Sequence, residues 1–287
     1  MGPSRHSFIF VTMLFIANLA CGQEVVQPVT TTKDSDPESS IIEGGGVSIQ
    51  PWYWLTSSQP TLRPGAQSTA VGPASLHFPG KARGATGFTF SVPAGKQNTL
   101  RLSYFRAHGS GQSVATSDLS LFSVGYTAGD VLATDYKVQN VKLSWDYLSY
   151  TFKNKVRFKT LWEAQLASVE TTVDAPLKPV TVDSNGLTSS YLATGSKWVL
   201  YPTFGVAFEQ APSKRFRWEA KGSGFGVPHR AVIWDIEAAA VVRLGPMEMV
   251  AGEKAFSLKT SPRADAYYRQ TLNGPFVGIR WYWDRME

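Results

Sequence analysis

The sequence predicts an all-β chain folded as an antiparallel up-and-down transmembrane β-barrel of about ten strands, with eight or twelve as alternative counts. From Gly44 onward, apolar and polar residues alternate with a period of two in segments rich in aromatic and β-branched side chains. Beyond residue 22 no apolar run approaches the roughly 18 residues that a spanning helix needs, so any membrane insertion must use strands. Short and long connections alternate between these segments, as they do in membrane barrels.

The composition excludes several classes of protein. Of the 287 residues, 43% are hydrophobic, which excludes a disordered chain, and the single cysteine excludes a disulfide scaffold or a thiolate metal site. The net charge of +6 is spread along the strands without a basic run, so no nucleic-acid partner is expected. His77, His108 and His229 are too scattered to define a metal site, and no calcium loop is present. We expect no metal and no cofactor.

The N-terminal region divides into two segments before the predicted barrel of residues 44–287. Residues 1–22 have a basic start at Arg5, an apolar run and small residues before Gln23, which is the layout of a cleaved signal peptide. An uncleaved anchor would need a longer apolar run, and a lipoprotein signal at Cys21 would need leucine where Asn18 stands. Residues 23–43 are polar and without period, which predicts a flexible periplasmic tether.

Ten strands are predicted from the alternation and the breaks between the segments. They lie near residues 46–56, 85–92, 98–108, 132–151, 154–170, 198–210, 213–224, 230–243, 246–260 and 268–283. Four connections are then tight: Pro93 to Gln97, Phe152-Lys153, Ala211-Pro212 and Leu244-Gly245. The even strand count and the tight turns place both ends of the barrel domain on the periplasmic side.

Two irregularities are also predicted within these strands. Pro51 and Pro202 each lack the N–H that a ladder needs, so both indicate bulges or strand ends. Between residues 246 and 260 the apolar alternation changes phase, which predicts a bulge near Gly252 that would keep Glu253 out of lipid.

The last predicted strand, GPFVGIRWYW from Gly274 to Trp283, resembles the closing strand of bacterial outer-membrane β-barrels. Gly278, Trp281 and Trp283 occupy the glycine and aromatic positions of the assembly signal in that class. Phe276 stands where a polar residue is commoner, and four residues follow Trp283. The resemblance is to the small outer-membrane barrel class and implies an outer-membrane location, contact with outer-membrane lipid, and recognition by the barrel assembly machinery.

If the apolar faces contact lipid, the opposite faces line a lumen that is rich in both signs of charge. The predicted lumen-facing residues are Lys142, Asp146, Arg157, Lys159, Glu163, Arg215, Arg217, Glu219, Lys221, Asp235, Glu237, Arg243 and Arg280. One interpretation is a narrow, mildly anion-preferring passive channel for an unknown solute. The other is a plugged, structural barrel in which the charges pair with one another, and the narrow bore of eight to ten strands favours it.

Two other functional classes remain as alternatives. A secreted soluble β-sandwich or lectin-like binding protein would show the same alternation with its charged face in water. His108 and Ser110 form the one His-x-Ser of the predicted mature chain and suggest a Ser/His lipid hydrolase, since some outer-membrane lipases and lipid A deacylases use this pair on the outer barrel wall. The fuller motif of those families is absent, so we expect no enzyme activity. The sequence leaves the oligomeric state open.

Overall fold

The computed structural model describes residues 46–56, 61–64, 76–77, 84–95, 97–122, 124–153, 155–178, 181–182, 188–189, 191–227, 231–261 and 266–283. The predicted signal peptide and tether lie outside the described residues. The described residues all belong to one compact unit, Pro37–Glu287.

The described residues contain sixteen strands. They are β1 Ser48–Trp54, β2 Thr61–Pro64, β3 Leu76–His77, β4 Ala85–Pro93, β5 Asn98–Val114, β6 Leu119–Leu121, β7 Val124–Tyr126, β8 Val131–Phe152, β9 Val156–Asp174, β10 Thr181–Val182, β11 Thr188–Ser189, β12 Ala193–Ser213, β13 Phe216–Val227, β14 Ala231–Leu244, β15 Met247–Lys259 and β16 Ala266–Tyr282.

Ten of these strands form a closed antiparallel barrel, which confirms the predicted fold and strand count. The order around the barrel is β1-β4-β5-β8-β9-β12-β13-β14-β15-β16, and β16 pairs with β1 to close it. Strand β2 pairs with the first residues of β16 and carries β3, while β6–β7 and β10–β11 are separate hairpins. We call the end with the four short turns the turn end, and the opposite end the loop end.

The third short turn differs from its prediction. It consists of Lys214 and Arg215, whereas Ala211 and Pro212 belong to β12. The β12–β13 register shifts between Gln210 and Ser213, and this irregularity accommodates Pro212, whose missing N–H a regular ladder would require. The proline therefore marks a bulge inside the strand and not the turn itself.

Pro51 and Pro202 do not cause bulges. Pro51 pairs with Phe88 and Pro202 pairs with Ala164 in unbroken registers. Each proline is instead unpaired on the opposite edge of its strand. No residue pair between β1 and β16 includes Pro51, and the pairing between β12 and β13 begins beyond Pro202, at Phe204. An unpaired edge has no need of the missing N–H.

The bulge predicted near Gly252 is wrong. Strand β15 keeps an unbroken register with both β14 and β16 from Met247 to Lys259. The change in the sequence pattern reflects a change in the chemistry of the inner face, because Phe256 and Leu258 point into an apolar part of the interior. Glu253 consequently lies on the exposed outer face.

Candidate functional site: the barrel interior and the outer wall

The inner face near the turn end is built around the buried carboxylate of Glu163. Its oxygens accept hydrogen bonds from Ser144 Oγ (2.9 Å), Thr203 Oγ1 (3.0 Å) and Ser223 Oγ (2.5 Å). Lys142 Nζ lies 3.4 Å from the same carboxylate. These donors come from β8, β12 and β13, so one acid on β9 is held from several sides of the lumen.

Lys142 extends this cluster across the barrel. Its ammonium group donates to Asp235 Oδ2 at 2.6 Å, and Ser223 Oγ, whose single proton can go to only one of the two carboxylates at a time, lies 2.7 Å from the other oxygen of Asp235. Lys142 is on β8 and Asp235 is on β14, four strands away around the barrel. The side chains of both are more than nine-tenths buried, so the pair is well shielded from solvent.

A second network lies closer to the turn end. The guanidinium of Arg217 binds Glu248 with two hydrogen bonds of 2.5 and 2.6 Å, the bidentate geometry that suits an Arg–carboxylate pair. Arg280 donates to Glu219 at 2.9 and 3.0 Å and to Glu248 at 3.2 Å. Tyr282 Oη completes the group by donating to Glu248 at 3.0 Å.

Twelve of the thirteen predicted lumen-facing charges lie on the inner face. They are Lys142, Asp146, Arg157, Lys159, Glu163, Arg217, Glu219, Lys221, Asp235, Glu237, Arg243 and Arg280. The thirteenth, Arg215, is exposed in the β12–β13 turn, because β12 runs further than the sequence suggested.

Sequence reasoning missed four inner charges that are more than half buried: Arg101, Glu209, Glu248 and Lys254. Arg101 and Glu248 each lie between two outward-facing apolar residues of the same strand, so strict alternation would have placed them on the inner face. Lys254 was hidden by the assumed bulge at Gly252. It lies 3.3 Å from Glu237 and 4.6 Å from the ring centre of Trp52. With these residues included, the inner charges are nearly balanced in sign.

An aromatic layer fills the interior above the charged networks, toward the loop end. Phe105 lies edge to face with both Phe256 and Trp54, with centroid distances of 5.0 and 5.6 Å. Tyr268 Oη on β16 hydrogen-bonds Thr171 Oγ1 on β9, directly across the barrel, since the two strands are five apart in a ring of ten. Opposite walls therefore touch at this level as well.

A short hairpin covers part of the loop end. Tyr126 of β7 is 2% exposed, and its hydroxyl group lies within hydrogen-bonding distance of the backbone oxygens of Val173 (3.0 Å) and Tyr191 (3.1 Å). Burial raises the pKa of Tyr126 to about 12. At the edge of the same loop, the ammonium of Lys178 donates to Asp130 at 2.9 Å, and this hydrogen bond lowers the pKa of that carboxyl group.

The outer wall carries the His-x-Ser pair that the sequence singled out. His108 and Ser110 lie on the exposed face of β5, and Ser110 pairs in register with Asp135 of β8. His108 Nε2 is 2.8 Å from Asp135 Oδ2, with both side chains about half exposed. Alternation along one strand could not have identified Asp135 as the partner of His108, because the cross-strand register sets its position.

Below these polar groups the outer face is an apolar belt. Trp145, Trp162, Trp218 and Trp281 are each 46–59% exposed, and Trp162 packs edge to face on Phe204 at 5.1 Å. A soluble sandwich would bury such side chains between two sheets. The sheet is instead closed on itself with the tryptophans outside, so the soluble-sandwich alternative is wrong.

The described part of the chain contains neither a membrane-spanning helix nor a cluster of metal-binding side chains. No helix there is long and apolar enough to span a membrane. No group of three or more His, Cys, Asp or Glu side chains there could hold a metal ion. His229 lies outside the described residues.

No protein-family model and no curated protein matches this chain. Solved structures similar to this chain include the attachment invasion locus protein Ail of Yersinia pestis, at 10% identity and a TM-score of 0.31 over 83% of this chain and 99% of that one. The toluene transporter TodX of P. putida is 8% identical, with a TM-score of 0.35 over 87% and 93% of the two chains. The transport unit of the autotransporter AIDA-I from Escherichia coli is 7% identical, with a TM-score of 0.39 over 84% and 91%.

Proposed function

We propose that this chain is an outer-membrane β-barrel with a closed lumen and that the protein has a structural role at the membrane surface. The apolar belt outside and the charged and aromatic layers inside support membrane insertion, because closure satisfies the backbone and hydrocarbon accepts only the apolar face. Export would depend on residues 1–22, and assembly on the closing strand with Gly278, Trp281 and Trp283.

The observation that carries the closed lumen is contact between opposite walls at two levels. Near the turn end, Lys142 on β8 reaches Asp235 on β14. Nearer the loop end, Thr171 on β9 meets Tyr268 on β16. A continuous water path would have to break both contacts and leave buried charged or polar groups without partners, which is costly.

Single-channel conductance of the refolded protein in planar bilayers tests this proposal. We expect the inserted protein to give no steady openings at either polarity. A variant with Lys142, Asp235 and Tyr268 all replaced by alanine should conduct if it folds, because it removes the contacts between opposite walls at both levels. An Arg243→Ala variant, which changes a charge beside the turn, should remain silent. Steady, anion-preferring openings of the unaltered protein would instead support the narrow passive channel.

A second candidate function, lipid hydrolysis, is favoured by the short His108–Asp135 contact on the outer wall. In such a reaction Ser110 Oγ would attack an ester carbonyl while His108 took its proton. His108 would then protonate the departing alkoxide, and water would later release the fatty acid from the acyl-serine. The outer-leaflet side of the membrane, just above the apolar belt, is where a lipid ester would meet these residues.

Fatty-acid release from lipopolysaccharide or phospholipid vesicles separates the two candidates. If the protein is a hydrolase, fatty-acid release should be lost in His108→Ala and Ser110→Ala and reduced in Asp135→Asn. Glu170→Gln serves as the matched control, because Glu170 forms a similar exposed cross-strand pair, with Lys137 at 3.1 Å. No release by the unaltered protein, or equal release by all four variants, would refute lipid hydrolysis and support the non-enzymatic barrel.

A further inference from the structure

A shallow cleft opens at the turn end, beside the Lys214-Arg215 turn that joins β12 to β13. Four of the residues that line it are cationic, namely Lys214, Arg215, Arg217 and Arg243, and Ser213 adds a hydroxyl group. The other described residues that line it are apolar, and none of them is acidic. About 230 Å³ within the cleft is free of protein atoms, counting the solvent at its mouth. The cleft therefore suits a small anion bound at the surface, and not a bulky ligand.

The cleft forms where the ladder between β12 and β13 is irregular. The register shifts between Gln210 and Ser213, so the regular pairing of the two strands is interrupted just before the turn. A bulge at the rim of a barrel re-aims the side chains beside it. The backbone N–H of Arg243 donates to the backbone oxygen of Arg215 at 2.8 Å, which ties the end of β14 to the turn. The cations consequently project from a hydrogen-bonded frame and not from a long loop.

The inner carboxylates nearest the cleft already have cationic partners. Glu209 accepts a hydrogen bond from a lysine on β9 at 2.5 Å. Glu219 and Glu248 are both bound by Arg280. Arg217 also donates to these two acids, so much of its own charge is neutralised. Among the described residues of the four short turns, the charged side chains are all cationic: Lys153, Lys155, Lys214 and Arg215. An anion that approaches the turn end therefore meets an excess of positive charge.

We propose that this cleft binds a phosphate group. A phosphate group offers negative charge and several acceptor oxygens, and the planar guanidinium of arginine matches it with paired hydrogen bonds. Arg215 and Arg243 bring two guanidinium groups to one cleft, and the Ser213 hydroxyl and the Lys214 ammonium add further donors. The site thus provides donors of the kind that recognise phosphate, at the end of the barrel where positive charge is in excess.

The position of the cleft gives the phosphate two possible sources. Phe216, which lines the cleft, packs edge to face on the exposed Trp218 at a centroid distance of 4.8 Å. Tryptophan on an outer barrel face is typical of the level of the lipid headgroups. A phospholipid headgroup in the adjacent leaflet and free phosphate in the water at the turn end would both reach the same donors.

This site is additional to the proposed structural role, and the two are tested separately. Heat-modifiable migration on gels reports whether each variant is folded in detergent. A folded protein that binds no phosphate would overturn the site and leave the closed lumen intact, because conductance measures the lumen. Steady openings together with phosphate binding would overturn the closed lumen and leave the site.

Titration calorimetry of the refolded full-length chain with inorganic phosphate tests the site. The protein is held in an uncharged, phosphate-free detergent at constant ionic strength, and we expect one saturable site. Arg215→Gln should weaken binding at least about tenfold, the effect of losing one charged hydrogen bond. The matched control is Lys153→Gln, which removes the same charge from an exposed position in the β8–β9 turn, outside the cleft. It should weaken binding less than about threefold, as expected for a screened surface charge. Binding without saturation, or equal weakening in both variants, would refute the site.

A short-chain phosphatidylglycerol, used below its own micelle concentration, distinguishes the two sources in the same assay. Tighter binding of this lipid than of inorganic phosphate, lost in Arg215→Gln, would support the site with a lipid headgroup as its ligand. Tighter binding of inorganic phosphate would support the site with free phosphate as its ligand. A diacylglycerol with the same short chains and no phosphate is the control. Equal binding of the diacylglycerol and the phospholipid, with no binding of inorganic phosphate, would contradict phosphate recognition.

Discussion

Replacing Lys142 with methionine should destabilise the barrel strongly, although methionine is apolar and of similar length. The substitution leaves Asp235 and Glu163 as buried acids without the cation that lies 2.6 and 3.4 Å away. Removing one partner of a buried ion pair costs about 3–5 kcal/mol. Glu163 keeps the hydroxyl donors of Ser144 and Thr203, and Arg101 remains 4.0 Å away, so the largest share of this loss should come from Asp235.

The assay is equilibrium urea unfolding in lipid vesicles, followed by tryptophan fluorescence. Lys137→Met is the matched control on the same strand, because Lys137 pairs with the half-exposed Glu170 and should contribute only about 0–1 kcal/mol. Adding Asp235→Asn to Lys142→Met should recover part of the loss, because the buried carboxylate that lost its closest cation is then replaced by a neutral amide. If Lys142→Met cost no more than Lys137→Met, the cross-lumen pair would not hold the walls together.

Three further predictions concern the loop end, the apolar belt and a strained glycine. Tyr126→Phe should lower the free energy of unfolding by about 0.5–1.5 kcal/mol and increase proteolysis between residues 115 and 130. Because the pKa of Tyr126 in the folded protein is raised to about 12, its contribution to stability is full below pH 10 and is lost as the pH rises through 12, and the variant should lack this pH dependence. Trp162→Arg should destabilise the barrel by about 2–4 kcal/mol in urea unfolding, whereas Glu170→Arg near the loop end should cost about 0–1 kcal/mol. Equal losses would contradict the position of Trp162 in an apolar belt that contacts lipid. Gly274→Ala should cost about 1–3 kcal/mol in the same assay, since Gly274 has a φ of +149° and a Cβ there would lie 1.9 Å from the Leu55 carbonyl oxygen; Gly125→Ala, with open space around the new Cβ, should be neutral.

The fold was predictable because a barrel strand carries its information locally. The period-two alternation in β8, β9 and β14 identifies which side chains point outward, and the short turns identify where neighbouring strands meet. Errors arose where local cues have two solutions. Pro212 fits either a turn or a bulge, and the apolar Phe256 fits either the outer belt or an apolar part of the interior.

The pairing inside the lumen was not predictable in the same way. Alternation places Lys142 and Asp235 on the inner face, but it does not say that they meet, because β8 and β14 are not neighbours. Their contact depends on the stagger that the strands accumulate around the closed barrel. The same stagger brings Thr171 to Tyr268, and the β5–β8 register brings Asp135 to His108.

The most direct test of a membrane barrel with a closed lumen is thiol labelling of an inner position in vesicles. Thr203 is fully buried beside Glu163, and Thr194 is exposed near the loop-end start of the same strand. With Cys21 replaced by serine, a charged, water-soluble maleimide should label Thr194→Cys and leave Thr203→Cys unmodified while the protein stays folded. Rapid labelling of Thr203→Cys in the folded, inserted protein would reveal a water-filled lumen and contradict the closed barrel.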